Sequence, residues 1–243
     1  MCYLNNMKKR FTSILAFQGQ NPLGIDVYKK YITLKDRFLY HGKLDDTHLE
    51  YLKTPHVVVA RKEIDKQPIN HYDCVINHLA LPTREQIPDY IQSLYKIVKQ
   101  DGLIILSVPN KYPNLNSLHW YTKLLPDASA KYASTIPSQE ELCDWLGDNA
   151  FDIIDIIKPR KELMLKKKVY YNPSGIYDPE WISCDPFWDY VEKKDLMSVE
   201  RVITSLFKQI KIYDYIEEVD NHRKQYGQLY FVVARKIHCR TWF

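Results

Sequence analysis

Two histidines stand where residue type and neighbourhood could do chemistry. His78, preceded by Asn77, follows the apolar run Tyr72-Asp73-Cys74-Val75-Ile76. An imidazole changes charge near neutral pH, so His78 is a candidate general base. A histidine that merely ends a strand at the surface is the competing reading. His119 opens the triplet His119-Trp120-Tyr121, nine residues after Asn110, in a stretch without clear periodicity. A histidine with aromatics in a loop suits an acid–base group beside a substrate wall made by Asn110, Trp120 and Tyr121. The same aromatics would serve as well to pack a loop down. Trp181 and Trp188, with Asp185 and Pro186 between them, could cap such a pocket or simply pack. The five cysteines (Cys2, Cys74, Cys143, Cys184, Cys239) are odd in number, widely spread and without a CxxC, so neither a disulfide framework nor a metal site is indicated.

The elements that must hold these residues are legible in the middle of the chain. Tyr72–Ile76 reads as a buried strand. Thr83-Arg84-Glu85-Gln86 has capping-box form, and Ile87, Tyr90, Ile91, Leu94, Tyr95 and Val98 recur at helical spacing. Gly102 stops that helix, and Leu103–Val108 is a near-continuous apolar run of the kind covered on both faces. This strand–helix–strand unit demands a parallel sheet. His56–Ala60 predicts another buried strand; Ser13–Phe17 and Gly24–Val27 predict shorter ones. Downstream, Ser138-Gln139-Glu140-Glu141 predicts a capped helix through Leu146. Phe151–Ile157 predicts a strand, Asp195 to about Lys211 a helix, and Leu229–Ala234 a late strand. The alternation argues for an α/β, doubly wound, mostly parallel Rossmann-like sheet with helices on both faces. We expect one domain over 1–243, with 159–190 an inserted, lid-like segment whose Lys166–Lys168 run forms a solvated face.

In this order the pieces resemble a class I S-adenosylmethionine-dependent methyltransferase of the broad type 11 methyltransferase-domain group. The carrying stretch is YDCVINHLALPTREQIPDYIQSLYKIVKQDGLIILSVPN, Tyr72 to Asn110; SQEELCDWLGDNAFDIIDI from Ser138 and GQLYFVVARK from Gly227 resemble later helix and strand segments. The resemblance implies S-adenosylmethionine as cofactor. It aligns ILAFQGQNPLGID, Ile14 to Asp26, with the family's first strand, glycine loop and second strand. By that alignment Phe17, Gln18, Gly19 and Gln20 would meet the methionine part, and Asp26 the ribose hydroxyls. Glu63 would lie on the adenine side and Asn77 at the sheet edge. Here Ala16 stands where the family has a carboxylate, and a Gln-Gly-Gln sequence replaces its glycine loop. The implied activity is methyl transfer to a small-molecule or sugar- or lipid-linked acceptor. A catalytically inactive methyltransferase-like binding or scaffold protein is the alternative.

Composition narrows the classes. Of 243 residues 45% are hydrophobic and 26% charged, as in an ordered globular chain. A net charge of +4 is too mild to indicate nucleic acid. No apolar run reaches the roughly 18–20 residues of a membrane span. Only seven glycines occur, and there is neither a Walker loop nor a GxGxxG. MCYLNNMKKRFTSILAFQ, its short apolar stretch broken by Gln18, makes a poor signal peptide, and a reducing cytoplasmic setting is expected.

Overall fold

The computed structural model describes residues 24–33, 36–42, 56–111, 118–161, 163–164 and 170–238. In chain order the elements are α1 (Ile25–Tyr31), β1 (Phe38–Gly42), β2 (His56–Val58), β3 (Tyr72–His78), α2 (Ile87–Ile97), β4 (Val98–Pro109), α3 (Pro126–Thr135), α4 (Gln139–Asp148), β5 (Phe151–Ile157), α5 (Pro179–Cys184), α6 (Lys193–Lys208), α7 (Ile212–Tyr226) and β6 (Leu229–Lys236). They form two compact units. One is a sheet unit of Gly24–Pro109, Ile136–Lys158 and the described residues from Leu229 on. The other is a helical unit of Asn110–Thr135 and Pro159–Gln228.

The sheet has six strands in the order β2-β1-β3-β4-β6-β5. β2, β1, β3 and β4 are mutually parallel, while β6 runs antiparallel to both β4 and β5. The α/β, mostly parallel expectation is met. Central strands are apolar throughout because both faces are covered: Val75, Ile76, Ile104, Ile105, Leu106, Val232 and Val233 are wholly buried. Each such side chain contributes about 1.5–3 kcal/mol relative to exposure. α2 buries the face made by Ile87, Tyr90, Ile91 and Leu94, as its spacing predicts. Ser138 caps α4 as expected: its Oγ accepts from the Glu141 amide at 3.1 Å, and its own amide donates to Glu141 Oε2 at 2.7 Å.

Four expectations are corrected. Gly24–Val27 is not a strand but the start of α1, because Ile25, Tyr28 and Ile32 bury one helical face. Gly24 begins the turn at φ 85°, and a Cβ there would come within 2.3 Å of the Phe231 ring. β2 is a short sheet edge whose side chains are exposed, since it has one neighbour only. Thr83 makes no cap; the Gln86 amide donates to its carbonyl at 2.8 Å, and this short 3-10 turn, with Pro88 in the next turn, launches α2. Asn77 and His78 belong to β3 itself. The strand expected over Ser13–Phe17 lies outside the described residues.

In the helical unit, Tyr121 is central. Its ring stacks on His119 (centroids 4.9 Å apart) and on Trp188 (5.0 Å), and meets Trp181 edge-on at 5.1 Å. Pairs of this kind add about 0.5–1.5 kcal/mol beyond burial. Lower on α7, the buried Asp220 carboxylate accepts from Arg223 Nε at 2.6 Å, Lys224 Nζ at 2.8 Å and Tyr171 at 2.5 Å.

Candidate functional site

The strand order first reverses beside β1. From β1 the chain passes outward to β2, then returns across β1 to β3 and continues to β4. Open α/β sheets bind ligands at such a reversal, outside the carboxyl ends of the strands. Here that edge is a row in register, Gly42 of β1 opposite His78 of β3, and His78 opposite Ser107 of β4. One residue back, His41 faces Asn77. The two main chains are tight at the row. A Cβ on Gly42 would lie 2.6 Å from the His78 carbonyl oxygen and 2.9 Å from its Cβ.

α1 delivers the next group. The Tyr28 hydroxyl, fully buried, lies 2.5 Å from His78 Nδ1, and the ring meets Phe231 edge-on at 5.8 Å. With the phenol donating, a neutral His78 carries its own hydrogen on Nε2. Burial holds the Tyr28 phenol well above its ordinary pKa, a rise that the Ser107 hydroxyl only partly offsets, so the phenol stays a donor. Ser107 Oγ accepts from the Leu79 amide at 2.9 Å and donates to the Asn77 carbonyl at 3.3 Å. Leu79 is held at φ 52°, a left-handed conformation unusual for a bulky side chain and of the kind stored at functional edges. The Asn77 amide is committed on both sides: Nδ2 donates to the Tyr90 hydroxyl at 2.7 Å, and Oδ1 accepts from the Ala80 amide at 3.1 Å. His41 Nδ1 donates to the Val59 carbonyl at 3.1 Å, and burial lowers its pKa. The described edge is therefore polar, and no residue of β1 or β2 is acidic.

The remaining expected residues scatter. Asp26 is an exposed carboxylate in the first turn of α1, so the strand-end position from which it would grip a ribose does not exist. Glu63 accepts from the Ala60 amide at 3.2 Å, opening the turn Arg61–Lys66. Phe17, Gln18, Gly19 and Gln20 lie outside the described residues. Asn110 clamps the end of α7, donating to the carbonyls of Tyr226 at 2.9 Å and Gly227 at 3.2 Å.

His119, Trp120 and Tyr121 are part of the interior of the helical unit, each at most 3% exposed. The hydroxyl of Tyr121 donates to Asp185 Oδ2, and His119 Nε2 lies 3.5 Å from the same oxygen. Burial lowers the His119 pKa; Asp185 opposes that and Arg223 adds to it. A neutral imidazole beside a half-buried carboxylate can accept a proton and hold it. Asp185 is the partner that spacing alone did not assign, and its place between Trp181 and Trp188 was the available signal. Tyr28 and Ser107 gave no signal in sequence, because the packing of α1 brings in the first and strand register the second.

No family model and no curated protein sequence matches the chain. Solved structures do. A candidate methyltransferase from an antibiotic biosynthesis pathway of Anabaena variabilis superposes with a TM-score of 0.60 at 11% identity, over 88% of this chain and 96% of that one. A candidate methyltransferase from Bacillus halodurans gives 0.49 at 10% identity, over 90% and 100%. A candidate sarcosine dimethylglycine methyltransferase from Galdieria sulphuraria gives 0.46 at 9%, over 88% and 83%. At such identities it is the fold that is shared. The chain is built on the Rossmann-like fold of class I S-adenosylmethionine-dependent methyltransferases.

Proposed function

We propose that the chain is an S-adenosylmethionine-dependent methyltransferase acting on a small-molecule or sugar- or lipid-linked acceptor. The observation that carries this reading is the Gly42–His78–Ser107 row at the reversal of a methyltransferase-type sheet. Gly42 lets β1 close up against β3 at that edge, since a Cβ there would meet the His78 carbonyl oxygen and the Tyr40 hydroxyl. The bound cofactor would supply an electrophilic methyl group on a sulfonium. The chain's own residues then align the acceptor and exclude water, which is most of what an in-line displacement needs. His78 is the proposed hydrogen-bond donor to the acceptor there, through Nε2–H, oriented at Nδ1 by Tyr28. Asn77 fixes the Ala80 turn beside it. In the helical unit His119 and Asp185 form a proposed acid–base pair, with Trp120 and Tyr121 packed around it. The reading implies a reducing, cytoplasmic setting, supported by the free thiols Cys74 and Cys143, and no nucleic-acid partner. No helix among the described residues is long and apolar enough to cross a membrane.

A specific observation favours a second reading, a binding protein on a decayed site. Tyr28 fills part of the reversal point, and neither β1 nor β2 offers a carboxylate for ribose hydroxyls. Incubation with methyl-labelled S-adenosylmethionine and panels of hydroxyl, amine and carboxylate acceptors separates the two. Label transfer lost in His78→Ala but with cofactor binding retained supports the enzyme. Binding without transfer to any acceptor supports the second reading.

A further inference from the structure

α6 is strongly amphipathic, yet of its apolar residues it buries only Val199 and Ile203. Leu196 and Phe207 continue the same stripe and are 39% and 41% exposed; Ile210, two residues past the helix, is 83% exposed. Met197 and Tyr213 beside them are also exposed. Beside this stripe, at spacings of eight, seven and three residues, runs a basic one: Lys193, Arg201 and Lys208 on the helix and Lys211 in the turn after it. None of these four forms an ion pair with a described residue. From 193 to 211 five basic residues face two acidic ones, a net +3. Asp195 is occupied in accepting from the Glu192 amide at 3.1 Å.

Ile210 adds an independent observation. It sits at φ 58°, in the left-handed region that suits glycine or asparagine and penalises a β-branched side chain. Its side chain gains almost no packing within the chain in return. A large apolar residue held in a strained turn and pointed at solvent makes sense where something outside the chain covers it.

We propose that α6 and the turn to α7 form a docking surface for an anionic lipid bilayer, the helix lying in the interface. An apolar stripe flanked by lysines and arginine is the pattern of interfacial helices. Leu196, Phe207 and Ile210 enter the acyl boundary, and Tyr213, amphipathic, sits at headgroup depth. Each basic side chain near an anionic surface multiplies the partition about fivefold. The attraction is salt-sensitive, since these charges are exposed. This surface lies within the helical unit and does not depend on the methyltransferase reading.

The test is sedimentation of the full chain with phosphatidylcholine vesicles, with and without phosphatidylglycerol, at low and high sodium chloride. Binding is expected to the anionic vesicles at low salt and to fall with salt. Phe207→Asp with Ile210→Asp is expected to weaken it at least tenfold, as is Arg201→Glu with Lys208→Glu. All four positions are exposed, so unchanged far-ultraviolet dichroism and melting temperature check the fold. Ile210→Gly, which relieves the turn, should weaken vesicle binding while raising the melting temperature. Three results overturn the proposal: no vesicle binding by the wild type, equal binding by both double variants, or self-association of the chain that the same variants abolish while vesicles have no effect. Cofactor titration in the variants reports on the other reading separately.

Discussion

Gly42→Ala and Gly147→Ala make the same chemical change with opposite expected signs. At Gly42 the added methyl would stand 2.6 Å from the His78 carbonyl oxygen, 2.6 Å from the Tyr40 hydroxyl and 2.9 Å from the His78 Cβ. The first and third of these atoms belong to β3, which is locked between β1 and β4 and cannot swing aside. The strands must part locally. Overpacking of this kind costs about 1–3 kcal/mol, or roughly 2–12 °C in melting temperature for a chain of this length. At Gly147, inside α4, nothing lies within 4 Å of the added methyl. There alanine should stabilise by about 0.5–1 kcal/mol through its better helix propensity. Urea unfolding of both variants beside the wild type reads the difference, and cofactor titration of Gly42→Ala should show at least tenfold weaker binding. A Gly42→Ala protein as stable as wild type would refute the close approach of β1 to β3, and with it the placement of the site.

Tyr121→Phe should cost about 1–2 kcal/mol in chemical denaturation, because it removes a donor from the half-buried Asp185 carboxylate. Ser138→Ala should cost about 1 kcal/mol by unmaking the α4 cap. The Glu141 carboxyl is held below its ordinary 4.5, first by the Ser138 amide and further by Arg84. Its contribution is therefore present above that value and lost as pH falls through the depressed one. Melting temperature should drop in that acid window, and less so in Glu141→Gln. At the alkaline end, burial raises the phenols of Tyr28, Tyr90 and Tyr230 above their ordinary 10. Their contribution is complete below 10 and disappears as pH rises further. Phenolate absorbance from these rings should appear together with the loss of dichroism; ionisation of every tyrosine in an intact fold would contradict it.

How far the sequence showed the way can be judged element by element. β3, α2, α4, β5 and β6 were legible because long periodic runs and one true capping box determine them locally. β1 was not: Phe38-Leu39-Tyr40-His41-Gly42 is five residues with no flanking turn signal, and only pairing with β3 makes it a strand. Asp26 was misplaced for a related reason. Gly-Ile-Asp-Val reads equally well as a strand end or as the first turn of a helix, and the buried face shared by Ile25, Tyr28 and Ile32 decides for the helix. His78 at the sheet edge was legible from its position after an apolar run. Its partners were not, since Tyr28 is 50 residues away and Ser107 reaches it through strand register. His119, Trp120 and Tyr121 were rightly grouped with Trp181 and Trp188, but residue type does not distinguish a pocket wall from a packed core.

Calorimetric titration of the full chain with S-adenosylmethionine and S-adenosylhomocysteine tests the central claim most directly. The account predicts saturable binding of both, with about 2.7 kcal/mol of added stability at 100 times the dissociation constant. Neither heat nor a rise in melting temperature at millimolar cofactor would contradict it and leave a methyltransferase fold without its cofactor.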